Sequence, residues 1–466
     1  MASLLTPHPL VVDLLKQPDL TVLTASSPDW DKTRATYFID NPAQPIAIAR
    51  PRNAEQVSTF VKAARSHGVK ISVRVGGHDV AGRSVVDGCF VLDLREINSI
   101  EVSEDKQTAT IGGGILIGDV IKTLTPHKLV TPFGYFPTIG YAGWAMMGGY
   151  GWLASRFGLG VDQIERARVV TAQGDIVEAD AELLKGIRGA GGNFGVIVEL
   201  GIRIYPLEKS PDLTDMQLLA GTILFPTSDI KASVQKYFAG YNAMTKSPNG
   251  GCGPFWFPKQ DDLSQWMFGV NFLWSSNDMD AGRQYLQQVA ALCDGADTSL
   301  VRETTPVELI DLISAWSPPR SYGRNAGNAV SFQSITERPA KVIGDFLSKA
   351  PVDTANVLLI HETRGQSAEP HPDSCFGARL PHGVIELIGV VINPANIEAS
   401  TQRYRELYEG LKGTGDALDV TYASLTQTRD TQISKLFGSE YQFVMDLKNK
   451  YDPEGLFDNT EPRLRP

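Results

Sequence analysis

Hydrophobic and polar residues follow two different periods between residues 45 and 206. Short apolar runs such as ISVRV, CFVLDL and VIVELGIRI are typical of buried strands, and amphipathic segments with helical spacing separate them. One such segment predicts a helix that begins after Asn53 as its N-cap and ends at Gly68. The run RARVVTAQGDIVEA predicts a hairpin with its turn at Gly174.

The pattern changes beyond about residue 210. Longer apolar runs (LLAGTILFP, WMFGVNFLW, NVLLIHET and GVIELIGVVIN) alternate with long amphipathic segments such as DAGRQYLQQVAALC. This arrangement predicts an antiparallel sheet covered by helices. The tail YQFVMDLKNKYDP predicts a helix that ends at Asp452, before a proline. The fold class is therefore α+β.

Length, charge and cysteine usage narrow the class of protein. The 466 residues are enough for at least two cores. The net charge of −10 and the lack of a basic run argue against a nucleic-acid or membrane partner. Neither a signal-peptide pattern nor an apolar run of about 18 residues is present. The four cysteines lie far apart in the sequence, so we expect neither a metal site nor a disulfide; they are Cys89, Cys252, Cys293 and Cys375. We also expect a cytoplasmic protein that is a monomer or a homodimer.

Four glycine clusters indicate a large bound cofactor. They are GGHDVAG at 76–82, GGG at 112–114, MGGYGW at 147–152 and GAGGNFG at 189–195. Glycine lets the backbone turn sharply and approach a ligand, and successive N–H groups can then hold an anion. GAGGNFG lacks the G-x-G-x-x-G spacing, follows a helix-like segment and precedes a strand, which excludes a Rossmann site. A P-loop sequence is absent as well.

Several longer stretches resemble one family. ISVRVGGHDVAGRSVVDGCFVLDL, FPTIGYAGWAMMGGYGWLASRFGLG, LLKGIRGAGGNFGVIVELGIRIYP and KNKYDPEGLF are similar to the berberine-bridge-enzyme-like FAD-linked oxidases of the vanillyl-alcohol oxidase superfamily, close to the 6-hydroxy-D-nicotine-oxidase-like branch. The resemblance implies a PCMH-type FAD-binding domain formed by residues 1–208 and the returning segment 426–466. Residues 209–425 would form an inserted substrate-binding domain.

The resemblance also implies FAD as the cofactor, with His78 joined to the 8α-methyl of the flavin. A neutral imidazole is a competent nucleophile for such a bond. The other FAD-binding positions that it implies are Arg74, Gly76, Gly77, Asp79, Val80, Gly82, Ser84, Pro137, Thr138, Gly140, Gly143, Gly148, Gly149, Gly151, Gly192, Asn193, Gly195, Val196 and Asn459.

The chain departs from the family pattern at four positions. Phe136 stands where many relatives have a cysteine that makes a second bond to the flavin, so we expect a single linkage through His78. Trp144 replaces a frequent histidine, and Glu461 replaces a frequent glutamine. Leu425 stands where relatives carry a catalytic tyrosine, which leaves the identity of the base open.

Four residues are candidates for catalysis: Glu386, His361, Glu362 and Tyr422. Glu386 is the one carboxylate in the apolar strand GVIELIGVVI. Burial of an unpaired carboxylate destabilises a fold, so we expect this group to be paired or to take part in catalysis. A position on an edge strand, with the carboxylate reaching water, would also explain it. His361 and Glu362 end the preceding strand, and alternation directs only one of them inward. In a strand over residues 422–425, Tyr422 would reach the same face as Leu425 only if the strand bends.

We therefore predict an FAD-dependent oxidase for a small organic substrate. It would pass a hydride from a C–H next to oxygen or nitrogen to flavin N5, or close a ring oxidatively, and molecular oxygen would give hydrogen peroxide. The alternative is a flavin-containing isomerase or cyclase that uses Glu386 as acid or base. The aromatic run Pro254–Phe257 lines the substrate cavity or packs in the core.

Overall fold

The computed structural model describes residues 7–206, 218–259, 261–316, 320–323, 327–420, 422–426 and 432–464. The strands of these residues are β1 Val22–Leu23, β2 Ala47–Ala49, β3 Ile71–Arg74, β4 Phe90–Asp93, β5 Ile100–Val102, β6 Thr108–Gly112, β7 Leu129–Val130, β8 Ile164–Val170, β9 Ile176–Glu178, β10 Val196–Arg203, β11 Tyr205–Pro206, β12 Leu218–Phe225, β13 Gly250–Pro258, β14 Trp266–Trp274, β15 Asp297–Thr304, β16 Gly327–Phe332, β17 Val357–Thr363 and β18 His382–Ile388. The helices are α1 Pro9–Leu14, α2 Trp30–Arg34, α3 Ala54–Ser66, α4 Ile117–Leu124, α5 Tyr141–Met146, α6 Ala154–Phe157, α7 Ala181–Ala190, α8 Ile230–Ala243, α9 Met279–Ala290, α10 Pro306–Trp316, α11 Glu337–Leu347, α12 Ile397–Lys412, α13 Ile433–Phe437 and α14 Tyr441–Tyr451.

A four-stranded sheet in the order β1-β2-β4-β3 holds the first glycine cluster. Strands β2, β4 and β3 run parallel, and β3 ends at Arg74, two residues before the cluster begins at Gly76. Helix α3 packs on this sheet through buried residues such as Phe60, next to Phe90 of β4. The predicted helix is confirmed with its cap, because the Asn53 side chain accepts a hydrogen bond from the backbone N–H of Gln56.

A five-stranded antiparallel sheet in the order β5-β6-β10-β8-β9 carries two further glycine clusters at its ends. Strand β6 runs into GGG at 112–114, and GAGGNFG lies just before β10. The predicted hairpin is confirmed as β8 and β9, in which Val169 faces Val177. The short strands β7 and β11 form a separate antiparallel ribbon.

The third large sheet is antiparallel and has seven strands, in the order β15-β12-β14-β13-β17-β18-β16. Helices α8, α9, α11 and α12 bury one of its faces in a hydrophobic core. Alternation is regular in β17, where Leu358 and Ile360 point into that core and Leu359 and His361 line a cavity on the opposite face. The predicted α+β fold, with helices over an antiparallel sheet, is confirmed.

The C-terminal helix α14 brings the tail back to the glycine clusters. It ends at Tyr451 with Asp452 as its cap, as the sequence predicts. The buried ammonium of Lys448 lies 2.6 Å from the Asp452 carboxylate and donates to the backbone carbonyl of Asn193 in the last cluster. The domain boundary at 208/209 lies outside the described residues, and the boundary at 425/426 stays a prediction.

The four cysteines are buried and free of disulfide bonds. In the part of the chain that the structure describes, no helix is both long enough and apolar enough to cross a membrane.

Candidate active site

One cavity is shared by the glycine clusters, the C-terminal tail and the open face of the seven-stranded sheet. The fold brings together residues as far apart in the sequence as Tyr37 and Glu461, because the tail and β17–β18 lie against the glycine clusters. The predicted site residues that line the cavity are Gly76, Gly77, His78, Asp79, Val80, Ser84, Gly140, Gly143, Gly192, Gly195, Val196, His361, Glu386, Tyr422 and Asn459.

His78 occupies the cavity wall between aromatic rings. Its imidazole stacks on Tyr37, with ring centroids 4.4 Å apart, and lies nearly parallel to Phe136 at 6.3 Å. Its Nε2 is 2.8 Å from Oγ1 of Thr138, which leaves Nδ1 for another partner. Burial lowers the pKa of His78 to about 4, because the charged imidazolium loses its hydration there. The imidazole is therefore neutral at neutral pH.

Two cavity glycines leave room that the protein itself does not fill. A Cβ at Gly143 would meet no heavy atom within 4 Å, and one at Gly192 would come no closer than 3.8 Å to the Thr460 side chain. A Cβ at Gly76 would instead lie 2.4 Å from the carbonyl oxygen of Thr138, so this glycine lets the first two loops touch. Bare backbone beside open space, together with the neutral His78, fits a large cofactor such as FAD.

The segment 137–151 contributes fewer residues to the cavity than predicted. Gly148, Gly149 and Gly151 do not line it. A Cβ at Gly149 would lie 2.6 Å from the Cα of Gly160, and one at Gly151 would lie 2.1 Å from the carbonyl oxygen of Phe133. These two glycines are required by close backbone packing within the fold.

Five other predicted FAD positions stand behind the cavity wall. Arg74 is buried and donates to the backbone carbonyls of Thr33 and Ala35. Asn193 donates to the carbonyl of Pro462 at 2.9 Å, which ties the last glycine cluster to the tail. The hydroxyl of Thr138 contacts Nε2 of His78. The remaining two are Gly82, which turns with a φ of +73°, and Pro137, whose carbonyl accepts the N–H of Gly118.

Glu386 and His361 form a buried pair in the cavity. Nε2 of His361 lies 2.5 Å from Oε1 of Glu386, and both side chains are less than a tenth exposed. The register, with Leu359 opposite Glu386 and His361 opposite Val384, places the two diagonally on neighbouring strands of one face. Nδ1 of His361 is buried without a partner in the described part of the chain. This favours the tautomer whose Nε2–H donates to the carboxylate.

Three tyrosines surround the imidazole of His361. The ring centroids of Tyr135, Tyr150 and Tyr422 lie 4.9, 6.1 and 6.2 Å from it. Burial raises the pKa of Tyr422, and the charge of Glu386 adds to the effect. Tyr422 is therefore protonated at neutral pH, and its role in catalysis stays a prediction.

Tyr422 and Leu425 both line the cavity, although the sequence pattern favours a strand here. Residues 422–426 form turns, and the N–H of Leu425 donates to the carbonyl of Tyr422 at 3.0 Å. A turn, rather than a bent strand, brings residues three positions apart to one side.

Glu362 points away from the cavity, as alternation requires once His361 faces it. Its carboxylate accepts from the hydroxyl of Tyr241 at 2.7 Å and from Nε of Arg364 at 2.6 Å. Glu362 therefore makes an ion pair and a hydrogen bond beneath α8, away from His361 and Glu386.

Part of the cavity wall consists of residues that the sequence did not predict. Arg83 lines it and makes ion pairs with Asp79 and with Glu461, whose Oε2 is 2.5 Å from Nη1 of Arg83. The i,i+4 spacing of Asp79 and Arg83 gave no signal, because it indicates an ion pair only on a helix and these residues form turns. Tyr135 and Tyr150 carried no signal either. Trp144 also lines the cavity, and its indole N–H donates to the carbonyl of Tyr150 at 2.9 Å.

Comparison with known families agrees with this geometry. Residues 45–180 match the FAD binding domain family. The chain is 30% identical to the FAD-linked oxidoreductase aurO of Gibberella zeae over 458 residues, which cover 96% of this chain and 86% of that protein. It is also 39% identical to (R)-6-hydroxynicotine oxidase of Paenarthrobacter nicotinovorans over 189 residues, which cover 40% of each chain.

Solved structures share the fold across the whole chain. BBE-like 1 from Physcomitrella patens superimposes with a TM-score of 0.83 at 20% identity and covers 98% of this chain and 99% of its own. Glucooligosaccharide oxidase from Acremonium strictum, which carries a 6-S-cysteinyl, 8α-N1-histidyl FAD, gives 0.81 at 18% identity, with 96% and 97% covered. At these identities the structures establish the fold alone. The near full-length match at 30% identity and the FAD binding domain establish the family: the chain belongs to the FAD-linked oxidoreductases.

Proposed function

We propose that this protein is an oxidase that holds FAD covalently through His78 and oxidises a small organic molecule at a C–H next to oxygen or nitrogen. The observation that carries the proposal is that the His361–Glu386 pair and the neutral imidazole of His78 line the same cavity. When bound, FAD supplies the hydride acceptor and passes the electrons to molecular oxygen, which gives hydrogen peroxide.

The surroundings of His78 support attachment through Nδ1. Thr138 occupies Nε2, and burial keeps the ring neutral and nucleophilic. The 8α-N1-histidyl linkage named for glucooligosaccharide oxidase uses the corresponding ring nitrogen. Phe136, near the His78 ring, has no thiol that could form a second bond, so the proposal includes a single linkage.

Glu386 is the proposed base. His361 donates its Nε2–H to Oε1, which fixes the carboxylate and leaves Oε2 for a molecule in the cavity. A substrate O–H or N–H at Oε2 would lose its proton as the neighbouring C–H is oxidised. His361 then acts as a positioning residue, since its Nε2–H holds the Glu386 carboxylate in place.

Peroxide release from purified holoenzyme tests this function. Aryl alcohols and cyclic amines would be supplied as substrates, and oxygen uptake and peroxide would be followed together. Glu386→Gln should abolish most of the peroxide release, while Glu303→Gln, an exposed carboxylate on β15 of the same sheet, should preserve it. Conversion of a substrate without oxygen uptake would instead favour the isomerase or cyclase alternative.

A further inference from the structure

A second, smaller pocket opens beside the main cavity. It lies between the open face of the seven-stranded sheet, helix α10 and the loop before α5, and we call it the side pocket. Its lining residues are Tyr135, Phe136, Trp152, Gly221, Thr222, Phe255, Phe257, Asn271, Leu309, Leu312 and Leu359. Tyr135, Phe136 and Leu359 also line the main cavity, so the two spaces share a wall.

The lining of the side pocket is aromatic and uncharged. Five aromatic rings and three leucines form its walls, and none of the described lining residues carries a charge. A charged group bound there would lose its hydration without a counter-ion, and a sugar would leave most of its hydroxyls unpaired. Flat apolar rings fit these walls best, because aromatic faces and edges pack closely against one another.

Two polar side chains stand together on the floor of the side pocket. Asn271 of β14 is paired directly with Thr222 of β12, so both side chains project from the same face of the sheet. No hydrogen bond within the described residues engages the Asn271 amide, which is only partly buried. This amide can both donate to a carbonyl and accept from a hydroxyl of a bound molecule.

Tyr135 connects the side pocket with the His361–Glu386 pair. Its ring centroid is 4.9 Å from that of His361, and its hydroxyl lies over Gly253, where a Cβ would come within 2.9 Å of it. Asn271 is the register partner of Gly253. Burial raises the pKa of Tyr135, so its hydroxyl stays protonated and can donate. Tyr135 therefore lies between a molecule in the side pocket and the His361–Glu386 pair.

From these contacts we infer that the side pocket binds a neutral, flat aromatic part of the substrate, with a hydroxyl or carbonyl directed at Asn271. The rest of the substrate would extend past Tyr135, Phe136 and Leu359, which line both spaces, toward Glu386 in the main cavity. This inference rests on the proposed function and specifies its substrate class as aromatic and uncharged, in contrast to an oligosaccharide.

Calorimetric titration of the holoenzyme with 2-naphthol, naphthalene and cellobiose tests the inference without turnover. Leu312 is half-buried on α10 and faces the side pocket, so Leu312→Trp should fill it and weaken 2-naphthol binding at least tenfold. Asp311→Trp places the same indole on an exposed position of α10 and should leave binding unchanged. Asn271→Leu should remove the preference for 2-naphthol over naphthalene.

The inference is overturned if wild-type protein binds cellobiose but not 2-naphthol, or if Leu312→Trp binds 2-naphthol as tightly as Asp311→Trp does. Either result is separate from a failure of the proposed function. That failure would show as an absence of covalent FAD and of peroxide release in the wild-type protein, whatever the titration gives.

Discussion

Nε2 of His361 lies 2.5 Å from Oε1 of Glu386, in the cavity that His78 also lines. The contact joins β17 and β18 and accounts for a carboxylate inside an otherwise apolar strand. Since the pair is buried, each partner satisfies a polar group that would otherwise destabilise the fold. The same contact leaves one carboxylate oxygen for a bound molecule.

Replacing the proposed base should slow oxidation and leave the cofactor attached. We expect Glu386→Gln to lower the rate of flavin reduction by about 100- to 10,000-fold, because an amide cannot take the substrate proton. Anaerobic stopped-flow absorbance measures this step before oxygen reacts. Unchanged flavin reduction in a variant that retains its flavin would remove Glu386 from the mechanism.

His361 should matter only while Glu386 is present. His361→Phe keeps a planar ring and loses the Nε2–H, so turnover should fall through misplacement of the carboxylate. In the Glu386→Gln background the same change should have little further effect, because residues that act as one unit are not additive. The double-variant cycle in flavin reduction rates measures this; independent, multiplying losses would argue against a coupled pair.

The low pKa of His78 predicts flavin attachment that is insensitive to mild acid. With a pKa of about 4, the imidazole is neutral both at pH 5.5 and at pH 7.5, and becomes protonated and unreactive only near and below pH 4. An ordinary histidine with a pKa of about 6.5 would be roughly one-tenth neutral at pH 5.5. Apoprotein made under riboflavin starvation and mixed with FAD should attach it equally fast at both pH values. A tenfold slower attachment at pH 5.5 would contradict the assigned environment.

The buried ion pair of α14 should stabilise the tail. Lys448→Met leaves the Asp452 carboxylate buried without its ammonium partner, and we expect the free energy of unfolding to fall by about 3–5 kcal/mol. Lys450, on the same helix, makes an exposed ion pair with Glu182 of α7, and Lys450→Met should lower the free energy of unfolding much less than Lys448→Met does. Denaturant unfolding of both variants gives the comparison; equal losses would mean that burial of Lys448 adds nothing.

Much of the fold could be predicted from the sequence because periodicity reports which face of an element is buried. The α3 helix, the β8–β9 hairpin, the antiparallel sheet and the end of α14 all follow from such local signals. The same signals could not show whether His361 or Glu362 faces the cavity. Alternation places the two side chains on opposite faces of the sheet, but it does not show which face borders the cavity.

The sequence predicts those residues of the candidate site whose side-chain chemistry is unusual for their position. His78 and Glu386 stand out because each is unusual in its local context. Gly143 and Gly151 look alike in sequence, yet one borders open space and the other packs against a carbonyl, a difference that depends on distant backbone. Tyr135 gave no signal for the same reason, since its role depends on β13 and β17, more than a hundred residues away.

Peptide mapping by mass spectrometry of the denatured holoenzyme shows directly whether FAD is bonded to His78. We expect FAD to remain attached after denaturation and its mass to be found on the peptide containing His78, with the peptide containing Phe136 unmodified. An unmodified His78 peptide with all FAD released, or FAD attached to another residue, would contradict it.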